Sequence, residues 1–379
     1  MIFHFLTEAR KKLDLIPEST YNNKLFIGLD GYVDLIQRVV KSKNDAGTQY
    51  FEEIKDFARH IDRAAGKSSQ FELETQETKL GGSAPIMAHA MGALGFSSTC
   101  IGNFGQDSIQ EVFKDIHENV RLLSVSNSGL TNAMEFHDGK LIFSEVSPFQ
   151  NLDWDEVKKR SGLDTLIKSI DQASLIALVD WCNLPHSTGI WRGILHEIMP
   201  HISSHPRYIF FDILDPSRRS DEEIGEVINV MDGFNKYGKV NLGLNENETE
   251  KIYISLNKTN GTLVDDSLSL GEKGRYIYEN MCLSNLLIHP TDRAISISHQ
   301  GIVELPGRMV ARPKISTGGG DNFNAGFCFG LLSGFDLESC LILAMANSGS
   351  YVENGKSSSL KELMNYIDLW IEEIKQLNT

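Results

Sequence analysis

The sequence predicts an α/β fold: a mostly parallel sheet packed between helices, with a small β structure added to it. Three observations lead there. Short apolar runs rich in β-branched residues recur between longer stretches of helical period, the pattern of strands buried on both faces and of the helices that cover them. With 41% hydrophobic and 23% charged residues, the 379-residue chain has an ordinary globular composition and is long enough for one large domain or two smaller ones. Two stretches, 68–80 and 129–146, depart from the α/β rhythm and read as accessory strands.

The expected strands of the main sheet are Leu25-Leu29, Ser98-Ile101, Leu175-Val179, Tyr208-Asp212, Lys239-Leu244, Asn285-Ile288 and Ala294-Ser298. Helical period is clearest at Ile86-Leu94, Ile109-Asn119, Trp191-Met199, Asp221-Phe234, Phe323-Leu332, Leu337-Met345 and Leu360-Leu377. Residues 129–146 read as two strands around an Asp138-Gly139 turn, where glycine supplies the positive φ of a tight hairpin. The run before Gly81 alternates polar and apolar residues, as a strand with one wet face does. Together these segments form the expected lid. Residues 41–70, charged and helix-prone, read as an insertion. Without an internal repeat or a Pro/Gly/Ser linker, the expectation is a single domain over residues 1–379 with a β lid from about 68–80 and 129–146.

A net charge of −15, from 36 basic and 51 acidic residues, disfavours non-specific binding to nucleic acid or to anionic membranes. Five cysteines without a CxxC pair argue against a disulfide framework and a structural zinc site. No apolar run approaches the roughly 20 residues of a membrane helix, and the N-terminus lacks the order of a signal peptide. The expectation is therefore a reduced, cytoplasmic protein. Two motifs fail on spacing. Gly66-Lys67-Ser68 and Gly355-Lys356-Ser357 lack the earlier glycine of a Walker A loop, and His196 and His201 stand five residues apart, not the four of a zinc protease helix.

The strongest chemical signal is the run from Ser316 to Gly326, STGGGDNFNAG. Gly318, Gly319 and Gly320 directly precede a segment whose apolar residues Phe323, Phe327 and Leu331 repeat every four positions, so they open a helix. Free amides and the positive end of the helix dipole make such a start an anion site, and Asp321 stands in its first turn. The plain alternative is a turn with Asp321 as a helix cap.

Other motifs, in order along the chain, decide between these. Gly81-Gly82 is followed by Leu94-Gly95 and then by Gly102-Asn103-Phe104-Gly105-Gln106-Asp107; Asn245-Glu246-Asn247-Glu248 follows a strand; Ala346-Asn347 and Gly355 come near the end. With ISTGGGDNFNAG at 315–326, this set resembles the PfkB (ribokinase-like) family of carbohydrate kinases over most of the chain. The resemblance implies a three-layer α/β/α domain and transfer of the γ-phosphate of ATP to a hydroxyl of a sugar. It implies Asp321 as the base, Gly318, Gly319 and Gly320 as the anion hole, and Glu248 with Asn245 ordering a hydrated Mg2+. Asn347 and Asn245 would lie near the nucleotide. Gly28 and Asp34 match the family's N-terminal glycine and substrate aspartate, the latter one residue late. Asp34, Gly81 and Gly82, with Asp30 as a second carboxylate, are the substrate-side candidates.

Three departures bear on this. Ile315 replaces an aspartate that helps to hold a monovalent cation, which counts against potassium activation; Ile86 replaces a sugar-binding asparagine; His289-Pro290-Thr291-Asp292 replaces the TxG near the nucleotide. Arg219, in a DPNxR-like run, is left outside the site. A nucleoside kinase and a sugar- or nucleotide-binding protein of the same fold that has lost catalysis stay as alternatives; a dinucleotide oxidoreductase lacks its GxGxxG after a strand. The expected partner is a small hydroxylated molecule, neither nucleic acid nor membrane, and a homodimer is left open.

Overall fold

A computed structural model describes residues 2–311, 313–315 and 317–377, so Ser316 of the glycine motif lies outside the described residues. In chain order the elements are α1 (Ile2–Leu13), β1 (Lys24–Gly28), β2 (Tyr32–Asn44), β3 (Gly47–Tyr50), α2 (Ile54–Asp62), β4 (Leu73–Gly81), α3 (Ser83–Ala93), β5 (Ser97–Gly102), β6 (Val120–Ser124), β7 (Gly129–Phe136) and β8 (Gly139–Glu145). There follow α4 (Trp154–Ser161), α5 (Leu163–Asp171), β9 (Ala173–Val179), α6 (Ser187–Gly193), β10 (Tyr208–Asp212), α7 (Asp221–Gly233), β11 (Lys239–Leu244), α8 (Glu246–Asn260) and α9 (Leu270–Asn280). The last are β12 (Asn285–Ile288), β13 (Arg293–Ser298), β14 (Gly301–Pro306), α10 (Gly319–Leu332), α11 (Leu337–Asn354) and α12 (Leu360–Leu377).

The main sheet runs β14-β13-β12-β11-β10-β9-β1-β5-β6. It is parallel from β6 to β12, and β13 and β14 close one edge as an antiparallel hairpin. Strands such as β9 are buried on both faces because helices cover both. On one face Leu166, Trp191, Val227 and Ile252 pack from α5 to α8; on the other Leu6, Met87, Phe327 and Leu363 pack from α1, α3, α10 and α12. This is the three-layer α/β/α fold read from the sequence, and it sets the carboxyl ends of seven parallel strands side by side.

The second sheet is built on β2. It pairs antiparallel with β4, Asp34 opposite Lys79, and parallel with β7, Asp34 opposite Thr131; β3 and β8 complete it. Its own apolar cluster is Val39, Phe51, Phe57, Met134 and Phe136. The hairpin around Asp138-Gly139 is as expected, with Phe136 opposite Gly139.

Two expectations need correction. Residues 41–70 are not a helical insertion: β2 runs on to Asn44, turns where the Asn44 side chain accepts from the Ala46 amide, and returns as β3, leaving only α2 helical. Residues 109–119 hold a single 3-10 turn, Glu111–Asp115, in place of a long helix, with no side-chain cap at Gln110 and only Phe113 of the turn buried. Among the described residues no helix is long and apolar enough to cross a membrane.

Candidate active site at the carboxyl ends of the strands

The glycine run does open a helix. Gly318, the N-cap of α10, has φ 89° and ψ 0°, a left-handed conformation that glycine adopts without cost, and a Cβ there would lie 2.7 Å from the Tyr351 hydroxyl. The first-turn amides have no helical carbonyl behind them, so they face outward as donors. Asp321 sits among them, partly buried. Burial first, then the neighbouring Asp212, push its carboxyl up to about 7; Asp180 and Asp34 add to this, and a hydrogen bond from Ser83 opposes it.

Asp321 is one member of a ring of acids at the strand ends. Asp30 follows β1, Asp180 follows β9, Asp212 ends β10, and Glu248 lies one helical turn beyond β11; all four are buried. Asp212 accepts from the Asn324 side chain at 2.7 Å and from the Leu214 amide, and burial pushes it up to about 6. Asp30 uses its two oxygens on the amides of Ser83 and Ala84, each 2.7 Å away, so it caps α3 while facing Asp180. Gly82 makes the close approach feasible: its φ is 97°, and a Cβ would sit 2.6 Å from Asp30 Oδ2.

Asp180 is the residue that sequence reasoning missed. Its φ of 56° is unusual for a non-glycine residue. One carboxylate oxygen accepts from the Asn183 amide and side chain, and the carboxyl is buried against Asp30. The signal was there: a charged residue directly after the apolar strand LIALV, at the carboxyl end of a parallel sheet where ligands bind.

Asp34 comes from the second sheet, on β2, and packs directly against Gly81, where any Cβ would collide with its carboxylate. Burial pushes it up to about 6, opposed by a hydrogen bond from Thr131 and by Lys79 and Lys140. Asp30, Asp34, Gly81 and Gly82 are thus brought together.

Asn245 and Glu248 form a capping box on α8: Glu248 Oε2 accepts from the Asn245 amide at 2.8 Å, and the Asn245 side chain accepts from the Glu248 amide at 2.9 Å. Glu248 is only 3% exposed, and burial together with Asp212, Asp215 and Asp321 holds its carboxyl well above the usual range. A solvated surface glutamate does not describe it.

Asn347 is buried between two helices. Its side chain donates to the Asn322 carbonyl at 2.7 Å and pins α11 to α10, so it braces the helix that carries Asp321. Its neighbours Ser348 and Gly349 line a cavity of about 350 Å3 that reaches from Gly319 and Gly320 to His289 and Met309. A second cavity, about 610 Å3, adjoins it through His289, Pro290 and Thr291 and includes Asn245 and Lys273. His289 packs on Phe323 with ring centroids 4.8 Å apart, and burial lowers it to about 4, so it is neutral at physiological pH. Arg219 donates to the carbonyls of Trp181 and Leu184 and to Glu223, a bracing role.

A glycine-opened helix with an aspartate in its first turn, facing acids at the ends of a parallel sheet, defines a ribokinase-like carbohydrate kinase. The fold has close counterparts: ribokinase from Arabidopsis thaliana, solved with ribose and ATP, at TM-score 0.62 and 14% identity, covering 91% of this chain and 98% of that one; and adenosine kinase from Sinorhizobium meliloti, at TM-score 0.62 and 15% identity, covering 92% and 98%. The family model of the prokaryotic ketohexokinases matches residues 5–370, and the chain belongs to that family. It is 25% identical over 351 residues to the ketohexokinase of Haloferax volcanii, 92% of each chain. The protein is an ATP-dependent carbohydrate kinase.

Proposed function

We propose that this kinase phosphorylates a hydroxyl of a ketohexose, with Asp321 accepting the proton. The observation that carries the reading is the position of Asp321 in the first turn of α10, among outward-facing amides and with its carboxyl pushed up to about 7. A free aspartate titrates near 3.9 and is a weak base toward an alcohol. One poised near 7 is far better matched to the task. The amides of Gly318, Gly319 and Gly320 hold the oxygens of the transferred group, which needs positioning and charge neutralisation more than covalent help.

On the substrate side Asp34 and Asp180 present acceptors, with Asp30 held beside them by the amides of Ser83 and Ala84. Such a wall of hydrogen-bonding carboxyls suits a polyhydroxy compound. The two adjoining cavities, which share the neutral His289, offer the space for ATP. Burial, and then the neighbouring Asp212, hold the Glu248 carboxyl above its ordinary range, a cost that a cation beside it would relieve. Glu248 would hold a hydrated Mg2+, a hard ion that usually keeps several of its waters. Bound Mg2+ supplies charge neutralisation at the phosphates. Ile315 is buried where the family's cation aspartate stands, so activity should not require potassium.

The test is Mg2+-dependent ADP formation from ATP with D-fructose beside D-glucose, D-ribose, fructose phosphates and nucleosides. Turnover is expected with the ketohexose. A preference for a nucleoside, or ligand binding without turnover, would replace this reading.

A further inference from the structure

A third cavity, of about 350 Å3, lies at the opposite end of the main sheet from the acids, where β1 and β5 begin beside α5. Its walls follow from the strand register. Lys24 stands beside Ser97 in the parallel pair β1–β5, and Thr99 beside Arg121 in β5–β6, and neighbours in register point to the same face of a sheet. That is the face α5 covers, since Phe26, two residues beyond Lys24, packs in one cluster with Leu166 of α5. From α5 and the residue after it come Thr165, Lys168, Ser169 and Gln172, spaced i, i+3, i+4 and i+7 along one flank.

Charge sets this cavity apart. Three cations, Lys24, Arg121 and Lys168, line it, and no carboxylate does. Among the described residues none of the three makes an ion pair. At the cavity beside α4 and α6, by contrast, Asp153, Asp155, Glu223 and Glu226 share the lining with Arg192. Converging cations without acids between them repel one another, and an anion bound among them offsets that repulsion even on a chain of net charge −15. Arg121 presents the planar fork of donors that matches a phosphate. The rest of the wall is uncharged and rich in hydroxyls, from Ser97, Thr99, Thr165 and Ser169, groups that donate and accept as sugar hydroxyls do. Ser169 already donates to the Thr165 carbonyl at 2.8 Å, which leaves its oxygen to accept. The volume falls at the lower end of the roughly 300–1,000 Å3 of small-molecule pockets, and a lone phosphate would fill only part of it.

We propose that this cavity binds a phosphorylated sugar, with its phosphate on Lys24, Arg121 and Lys168 and its hydroxyls on the serines and threonines. The site is separate from the catalytic one. Lys24 and Gly28 are the two ends of β1, roughly 13 Å apart at the rise of a strand, and Asp30 lies beyond Gly28. A ligand here leaves the acids and the glycine turn open, and its binding does not depend on which sugar the kinase phosphorylates.

The experiment is isothermal titration of the full chain with D-glucose 6-phosphate, D-fructose 6-phosphate and inorganic phosphate, repeated on the double variant Arg121→Gln, Lys168→Gln. The unaltered chain should bind one of the esters at least about tenfold more tightly than inorganic phosphate. The double variant should lose roughly 10- to 100-fold in affinity for that ester, while its thermal midpoint and its affinity for ATP with Mg2+ stay as they were. Equal affinity in the unaltered chain and the variant would place the ester elsewhere and overturn the inference. Absence of binding by both esters at millimolar concentration would do the same. Inorganic phosphate held as tightly as either ester would overturn the sugar assignment, since the hydroxyl wall would then contribute nothing. Sugar turnover is no arm of this test, so its failure leaves the kinase reading intact.

Discussion

At the scale of single residues, Asp321 carries the account. Its carboxyl is pushed up to about 7 by burial and by Asp212, and only the ionised form accepts a proton. In the free enzyme kcat/KM should therefore rise with pH through about 7 and level off above it, a limb visible in a simple pH profile. Asp321→Asn should lower kcat by roughly 10²- to 10⁴-fold and abolish that limb. Asp180 gives a second prediction. Asp180→Asn removes one of two buried acids that face each other and one acceptor for a sugar hydroxyl. KM for the sugar should rise about tenfold, while the thermal midpoint of the unliganded protein at about pH 8 is kept or raised. An unchanged KM would remove Asp180 from the sugar site. Asp321, Glu248 and the glycines were legible because a short motif carries them. Asp180 was not, because it sits alone in sequence and is made significant by Asp30, 150 positions earlier, through the pairing of β9 with β1. Asn347 was legible as a motif residue but not in its contacts: only the fold shows that its side chain holds the Asn322 carbonyl while Ser348 faces the cavity.

At the scale of elements, the parallel strands other than β6 were read to within two residues, since β-branched apolar runs between helices have few other solutions, whereas β6 (Val120–Ser124), at the sheet edge, was missed. Helix starts were read less well. The sequence period began at Phe323, whereas α10 begins at Gly319, because glycines carry no apolar signal even where they are helical. β2 escaped for a related reason: its outer half, Val39 to Asn44, is charged and packs on a small cluster of its own, so its alternation is weak. The β7–β8 hairpin was legible from Asp138-Gly139 alone. If the sheet that contains it is a lid, replacing residues 135–141 by an Asn-Gly turn should raise the ratio of ATP hydrolysis to sugar phosphorylation, because water then reaches the phosphoryl group. An unchanged ratio would make this sheet a bystander to the chemistry.

At the scale of the whole molecule, the acids that serve the site work against stability in the empty protein. Asp34 and Asp212 are pushed up from 3.8 to about 6, and Asp321 to about 7, so between about pH 4 and pH 7 the folded chain binds more protons than the unfolded one. Stabilisation that is full below the unfolded pKa is then lost as pH rises through the folded values. The thermal midpoint of the unliganded protein should fall between about pH 5 and pH 8, and added Mg2+ with ATP should raise it again at the upper end. A midpoint that climbs steadily over that range would show that these carboxylates are not held in the protonated form. The overall fold was legible because strand and helix order in a parallel sheet leaves few topologies. What the sequence could not display was the convergence of six carboxylates from five separate segments, since charge density in space is a property of strand order.

The most direct measurement is product detection by mass spectrometry after mixing the protein with Mg2+, ATP and D-fructose, with Asp321→Asn beside it. The account predicts a ketohexose monophosphate formed in step with ADP by the unaltered chain and nearly absent with the variant. ADP without sugar phosphate, or the same product yield from the variant, would contradict it.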